Sequence, residues 1–265
     1  MSEPCSMCGG AAQMMIHRFD ARPEGENDFG FAPYRRELWR CAACGHVINR
    51  HSFPLDRLYA ANYVDAVYGD KLGQTFARIM ALPPDRSDNR QRVQRIEAYV
   101  ATREAALPRR ALDVGAGLGV FPAALAEAGW ECLAIDPDPR ATAHIEAHTR
   151  AAARCGDFST LNGERRFALV SFNKVLEHVR PMVAMLARSK EWLLPKGLVY
   201  VELPDGEAAL DAGPEREEFF VEHYCAFSLA SFALLALKAG FRAERIERIR
   251  EPSGKYTLYG YLSVA

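Results

Sequence analysis

From about residue 108 onward, two patterns of apolar positions alternate along the chain. Short runs of consecutive apolar residues are followed by stretches in which apolar residues recur every three or four positions. The runs predict strands buried on both faces, and the longer spacing predicts helices packed by one side. Strands are expected near 111–114, 131–135, 154–155, 169–172, 198–202, 243–249 and 255–263, and helices near 120–128, 139–149, 182–192 and 229–239. Such alternation implies an α/β fold, a mostly parallel sheet covered by helices on both faces. The last two strands are joined by Glu251-Pro-Ser-Gly254, a turn short enough to predict an antiparallel ending. Upstream, Ser87 is a good N-cap for a helix in which Val93, Ile96 and Val100 repeat through about Ala106, before Pro108. Arg90, Arg92 and Arg95 are expected on its solvated face.

Ahead of Ser87 the chain follows neither pattern consistently. Residues 1–52 open on Cys5-Ser-Met-Cys8-Gly9 and close on Cys41-Ala-Ala-Cys44-Gly45-His46. Each Cys-x-x-Cys-Gly predicts a knuckle, in which the glycine permits the turn that aims two thiolates at one ion. Two knuckles make a tetrahedral four-cysteine zinc site, with no position left open for catalysis. Strands are expected at Gln13–Phe19 and 37–40, around a polar loop at 22–27. The unit resembles a zinc ribbon, and so small a module needs its metal for stability. His46 and His51 are expected at the surface, as is the Arg35-Arg36 pair. Residues 53–107 form a connector with Tyr59, Tyr63, Tyr68, Gly69, Gly73 and Pro83-Pro84, in which short helices are expected. Its tyrosines could cover a ligand of the main domain or pack the ribbon against that domain. The chain thus divides at 1–52, 53–107 and 108–265.

The chemistry begins at Ala111-Leu-Asp-Val-Gly-Ala-Gly-Leu-Gly-Val120 and continues at Leu133-Ala-Ile-Asp136. Strand, glycine turn, helix and second strand place Gly115, Ala116, Gly117 and Gly119 where backbone can pass close to a ligand. Asp136 lies 21 residues beyond Gly115, where a ribose-binding carboxylate sits in dinucleotide folds. The spacing is Gly-x-Gly-x-Gly rather than Gly-x-Gly-x-x-Gly, and Asp113 precedes it. A carboxylate there repels a pyrophosphate and suits an ammonium group.

Composition narrows the classes. The 265 residues are 49% hydrophobic and 25% charged, enough for one core-forming domain with a small appendage. The formal net charge of −1 offers no global attraction to nucleic acid or anionic lipid, and residues 1–52 carry no basic stripe. No basic region followed by an apolar run opens the chain, and no apolar stretch approaches roughly 18–20 residues. A soluble, cytoplasmic protein without nucleic-acid or membrane partners is expected. Seven cysteines, four of them in Cys-x-x-Cys pairs, favour metal over disulfides in a reducing compartment.

The glycine motif with Asp113 and Asp136 resembles motif I of the class I S-adenosylmethionine-dependent methyltransferases. That resemblance implies a Rossmann-like sheet of seven strands with the last antiparallel, and S-adenosylmethionine as methyl donor. It implies cofactor contacts from Asp113, the glycine turn, Asp136 with Pro137, and Asp157-Phe158, whose acid bonds the adenine amino group while the neighbour packs on its ring. Val175-Leu-Glu-His-Val179 is similar to a signature of the ubiquinone-type O-methyltransferases and of enzymes acting on sugars, polyketides and glycans. Asn173 would then lie near the sulfonium. The ubiquinone enzymes carry a metal-binding Glu-x-x-Glu-His here, and this chain has Lys174 at the first position. Glu222-His223-Tyr224, Phe227-Ser228 and Ala239-Gly-Phe241 resemble the glycan- and deoxysugar-modifying members. His223 is the first candidate base and His178 the second, with Tyr224 beside them.

The expected activity is methyl transfer to a small-molecule acceptor, such as a nucleotide-linked sugar or another glycan or secondary-metabolite precursor. Two other readings are an RNA methyltransferase gripping RNA with the ribbon, and a non-catalytic protein that keeps the cofactor. Balanced charge argues against the first, as does the lack of Asn/Asp-Pro-Pro-aromatic after the fourth strand.

Overall fold

The computed structural model describes residues 3–55, 71–104 and 107–265. Tyr59, Tyr63, Tyr68 and Gly69 lie outside the described residues. In chain order the elements are β1 Gln13–Phe19, β2 Arg36–Cys41, β3 Val47–Arg50, α1 Leu72–Met80, α2 Asp88–Val100, β4 Arg110–Val114, α3 Val120–Glu127 and β5 Glu131–Asp136. They continue with α4 Pro139–His148, β6 Ala152–Cys155, β7 Phe167–Asn173, α5 Met182–Arg188, β8 Leu193–Pro204, α6 Gly206–Asp211, β9 Cys225–Ala226, α7 Leu229–Lys238, β10 Phe241–Arg250 and β11 Tyr256–Val264.

The larger sheet has seven strands in the order β10-β11-β8-β7-β4-β5-β6. Strands β6, β5, β4, β7 and β8 run parallel, and β11 inserts antiparallel between β8 and β10. The expected α/β architecture and its antiparallel ending are both present. The central strands are apolar because they are covered on both faces. Val170, Phe172, Val199, Val201 and Leu203 lie in one cluster with Leu112 and Trp192, while Ala111, Leu169 and Tyr200 belong to the other. The order reverses beside β4, which puts the carboxyl ends of β4 and β7 at the switch point where such sheets bind ligands.

Element ends differ from expectation mainly where buried backbone continues a ladder. Strand β8 begins five residues early because Leu193 pairs with Phe167 before the central run. Helix α2 ends at Val100, short of the expected 106.

The arginine face of α2 is not solvated. Arg92 is buried and donates to the Glu202 carboxylate on β8, and Arg95 reaches the same carboxylate at 2.9 Å. Only Arg90, paired with Glu127, behaves as expected.

The ribbon strands form a second sheet, β1-β2-β3-β9, in which β9 comes from the main domain. Cys5, Met7, Cys41 and Cys44 share a core with Phe227, Phe232 and Leu235. The expected surface positions are corrected here. His46 is buried edge-on against Phe227, and Arg36 is fully enclosed. His51 is half-buried and stacks on Phe53.

Candidate functional site

Four thiol sulfurs converge where the two knuckles meet. Cys5 and Cys44 Sγ are 3.7 Å apart, Cys8 and Cys41 Sγ are 3.5 Å apart, and all four lie within 4.8 Å of one another. Tetrahedral zinc with Zn–S bonds near 2.3 Å requires sulfurs about 3.8 Å apart, so the cradle fits that ion. Gly45 turns the second knuckle at φ 72°, a left-handed angle at which a Cβ would also press on Ser228. Neither His46 nor His51 belongs to the cluster.

A cavity of about 1410 Å³ opens at the carboxyl edge of the large sheet. It exceeds the roughly 300–1,000 Å³ of a single small-molecule site and has room for two ligands. One end is built by the β4–α3 turn and the ends of β5 and β6. Asp113, Gly115, Ala116, Gly117, Asp136, Pro137, Asp157, Phe158 and Asn173 all line it.

Asp113 is buried at the end of β4, where its Oδ1 accepts hydrogen bonds from Ser171 Oγ at 2.7 Å and Asn173 Nδ2 at 2.8 Å. Burial pushes its carboxyl up to about 7 against those two bonds, so a cation brought to it would restore the ionised form. Among the described residues the buried Asn173 Oδ1 has no hydrogen-bond partner, an acceptor left over for a ligand. Asp136 spends both oxygens on backbone: Oδ2 accepts from Gly117 N at 2.8 Å and Oδ1 from Asp138 N at 2.9 Å. It therefore braces the glycine turn. Asp157 is exposed and accepts from Ser159 N, while Phe158 packs against Trp192 and Phe172.

Gly119 does not line the cavity. It caps α3 at φ 74°, and a Cβ there would lie 2.5 Å from Ile145 Cγ1. The third glycine thus allows α3 to approach α4.

The other end carries Lys174, Glu177, His178, Phe220, Glu222 and His223. The imidazoles of His178 and His223 meet edge to face, with centroids 4.7 Å apart. His178 Nδ1 lies 3.0 Å from the Glu222 carbonyl oxygen, and His223 Nδ1 lies 2.9 Å from that of Glu218. A carbonyl only accepts, so each Nδ1 carries the hydrogen and each Nε2 is the basic nitrogen. Burial lowers His178 to about 4 and His223 well below its usual value, so both rings are neutral near pH 7. Tyr224 is buried outside the cavity lining, beneath the Arg180 guanidinium.

Glu177 is fully buried, and neither of its oxygens has a hydrogen-bond partner among the described residues. One of its oxygens and a nitrogen of each histidine lie within 4.8 Å of one another, close enough to reach a common ion. The half-buried Lys174 ammonium, held by Thr257 Oγ1 at 2.6 Å and the Leu203 carbonyl, sets its positive charge against Glu177 and opposes a further cation.

Comparison with known proteins agrees with this geometry. Residues 85–246, more than half of the chain, match the family described as "Methyltransferase domain". The chain belongs to that family. The ubiquinone biosynthesis O-methyltransferase of Rhodopseudomonas palustris (strain BisB5) is 30% identical over 97 residues, which span 35% of this chain and only 38% of that protein. Among solved structures, the 1,6-didemethyltoxoflavin-N1-methyltransferase of Burkholderia thailandensis, with S-adenosylhomocysteine bound, superposes with a TM-score of 0.56 at 22% identity. It covers 89% of this chain and 98% of its own. The magnesium protoporphyrin IX methyltransferase of Synechocystis PCC 6803 gives 0.57 at 15% identity, covering 75% and 97%. These likenesses establish the fold of S-adenosylmethionine-dependent methyltransferases.

Sequence reasoning missed Arg92, Asn89, Gly25 and Asn27 on the cavity wall. The first two lie on a helix whose polar residues look solvated in sequence. The last two lie in the ribbon's polar loop, and no motif marks them. Among the described residues, no helix is long and apolar enough to cross a membrane.

Proposed function

We propose that this chain transfers a methyl group from S-adenosylmethionine to a small-molecule acceptor, a nucleotide-linked sugar or another glycan or secondary-metabolite precursor, with a histidine as general base. The observation that carries the reading is one cavity with two unlike ends. Asp113, the glycine turn and Asp136 stand at one, and a pair of neutral histidines at the other. The donor, when bound, supplies a methyl group on a positively charged sulfur, which leaves by in-line displacement.

Asp113 and the Asn173 Oδ1 suit the ammonium of the donor's methionine moiety. The Gly117 turn, held by Asp136, brings backbone against it, and Asp157 lies near the adenine end. An acceptor hydroxyl or acidic C–H gives its proton to the Nε2 of His223 or His178. Orientation of the two reactants supplies about 7–11 kcal/mol in favourable cases, and the base adds roughly 10²–10⁴-fold. The polar groups beside the histidines, Lys174, Glu177 and Glu222, support a hydroxyl-rich acceptor. The four-cysteine cluster holds structural zinc.

Two outcomes test the reading. Purified, zinc-replete protein is expected to move labelled methyl from S-adenosylmethionine into a pool of nucleotide sugars and hydroxylated metabolites, with the product located by mass spectrometry. Label entering cellular RNA instead would overturn it. Asp136→Ala is expected to weaken donor binding in calorimetry by roughly 10- to 100-fold. It removes the charge-assisted bond from Gly117 N that braces the turn, worth about 1.5–3 kcal/mol. Unchanged affinity would take Asp136 out of the donor site.

A further inference from the structure

The segment that carries His223 is tied from one side by the ribbon, almost entirely through its backbone. Arg36 on β2 donates from Nη1 to the Phe219 carbonyl at 2.7 Å. Its Nη2 pairs at 3.1 Å with Glu26, and its guanidinium lies 3.7 Å from the centre of the Phe19 ring. The same Glu26 carboxylate accepts from Val221 N at 2.7 Å. On β3, Asn49 Nδ2 donates to the His223 carbonyl at 3.0 Å and the Phe220 carbonyl at 3.2 Å, and Asn49 N donates to the Tyr224 carbonyl at 2.9 Å. Strand β3 then pairs with β9, Val47 against Ala226 and Ile48 against Cys225. From the other side the segment is held through the Tyr224 N bond to the Glu177 carbonyl and the contact of His178 with the Glu222 carbonyl.

The arrangement is costly unless it is used. Arg36 and Glu26 are both fully enclosed, and a buried ion pair contributes little net stability over apolar residues of the same shape. What this pair supplies is direction: a rigid fork aimed at one carbonyl, and a carboxylate aimed at one amide. Gly25 and Asn27 flank Glu26 and line the cavity.

We propose that the ribbon is the acceptor-side scaffold of the active site. In this role Arg36, Glu26 and Asn49 are positioning residues that fix segment 219–224, and through it the His223 imidazole, while Asn27 forms part of the acceptor wall. The described donor-end residues Asp113, Gly115, Gly117, Asp136 and Asp157 come from β4, β5 and the turns after the strands, outside residues 1–52. The proposal rests on the reading of His223 as acceptor-side, but its test needs no acceptor, so the two fail separately.

The test uses the full-length, zinc-replete protein with Asn49→Ala, and with Arg36→Lys as a second variant should the first fail to fold. Amide hydrogen exchange is followed by mass spectrometry, S-adenosylhomocysteine binding by calorimetry, and the imidazole rings by ¹⁵N NMR with His223 assigned through His223→Gln. Loss of the Asn49 side-chain bonds is expected to speed exchange in 219–224 about tenfold or more, with exchange in 111–119 unchanged. The His223 ring signals should move while metal content and S-adenosylhomocysteine affinity stay at wild-type values. Wild-type exchange in 219–224 with unmoved His223 signals would overturn the proposal. So would a loss of S-adenosylhomocysteine affinity in step with faster exchange, since the ribbon would then support the whole fold rather than one end of the site.

Discussion

Replacing Glu202 by alanine is expected to destabilise the protein by about 3–5 kcal/mol, because it strands a buried cation. The Glu202 carboxylate is fully enclosed on β8. It accepts from Arg92, from Arg95 at 2.9 Å and from the Tyr200 hydroxyl at 2.6 Å. Burial alone would raise this carboxyl, but the charge and hydrogen bond of Arg92 outweigh it and hold the group at about 2. Without Glu202, Arg92 has no paired carboxylate among the described residues and cannot shed its proton. At roughly 2–4 °C per kcal/mol for a domain of this size, the midpoint of thermal unfolding should fall by about 6–20 °C. The control is Glu131→Ala, which removes the exposed Arg110–Glu131 pair at 2.8 Å and should change stability by no more than about 1 kcal/mol. The pH dependence has a definite sign. A carboxyl held below its unfolded value stabilises the fold above about pH 4.5, and that contribution is lost as pH falls toward 2. Calorimetric unfolding of both variants checks the ranking. Equal effects would show that Arg92 finds another partner.

The same network shows what the sequence could reveal and what it could not. The sheet was legible because a strand covered on both faces must be apolar throughout, and that pattern survives in one dimension. The β4–α3 edge of the cavity was legible because the turn needs its glycines, and because Asp113 and Asp136 lie at the carboxyl ends of adjacent parallel strands. Charged residues carry no such signature. Arg92 and Arg36 look like solvated arginines until Glu202, 110 positions away, and the Phe219 carbonyl, 183 positions away, are brought to them. Gly119 was legible as a glycine, but the Ile145 side chain that demands it lies on the next helix and left no mark in the motif. The histidines were found as motif positions, but their meeting depends on a segment placed from outside the main sheet.

That meeting carries the largest expected effect on turnover. Substituting both His178 and His223 by alanine should lower kcat by about 10²–10⁴-fold while leaving S-adenosylhomocysteine affinity unchanged. A loss below about tenfold would remove both from the mechanism. Single variants are expected to differ from each other, since the ring that directly faces the acceptor proton matters more than the ring packed behind it. The pH profile separates a base from a merely structural imidazole. Burial disfavours the charged ring, so each histidine stays neutral, and competent as a base, well below its ordinary titration near 6.5. Turnover should therefore stay level from neutral pH down through 6.5, falling only toward pH 4 if His178 is the base and well below 6.5 if His223 is. Folding responds over a wider range. A histidine whose folded value is depressed supports the fold fully above its unfolded value, and that support is lost as pH falls below about 6.5. His46 and His51, both lowered to about 4 by burial, act in the same direction. Circular dichroism recorded alongside the rate must therefore show the fold intact through the acid limb. A limb near pH 6.5 in folded protein would mean that the base is an exposed group and neither member of this pair.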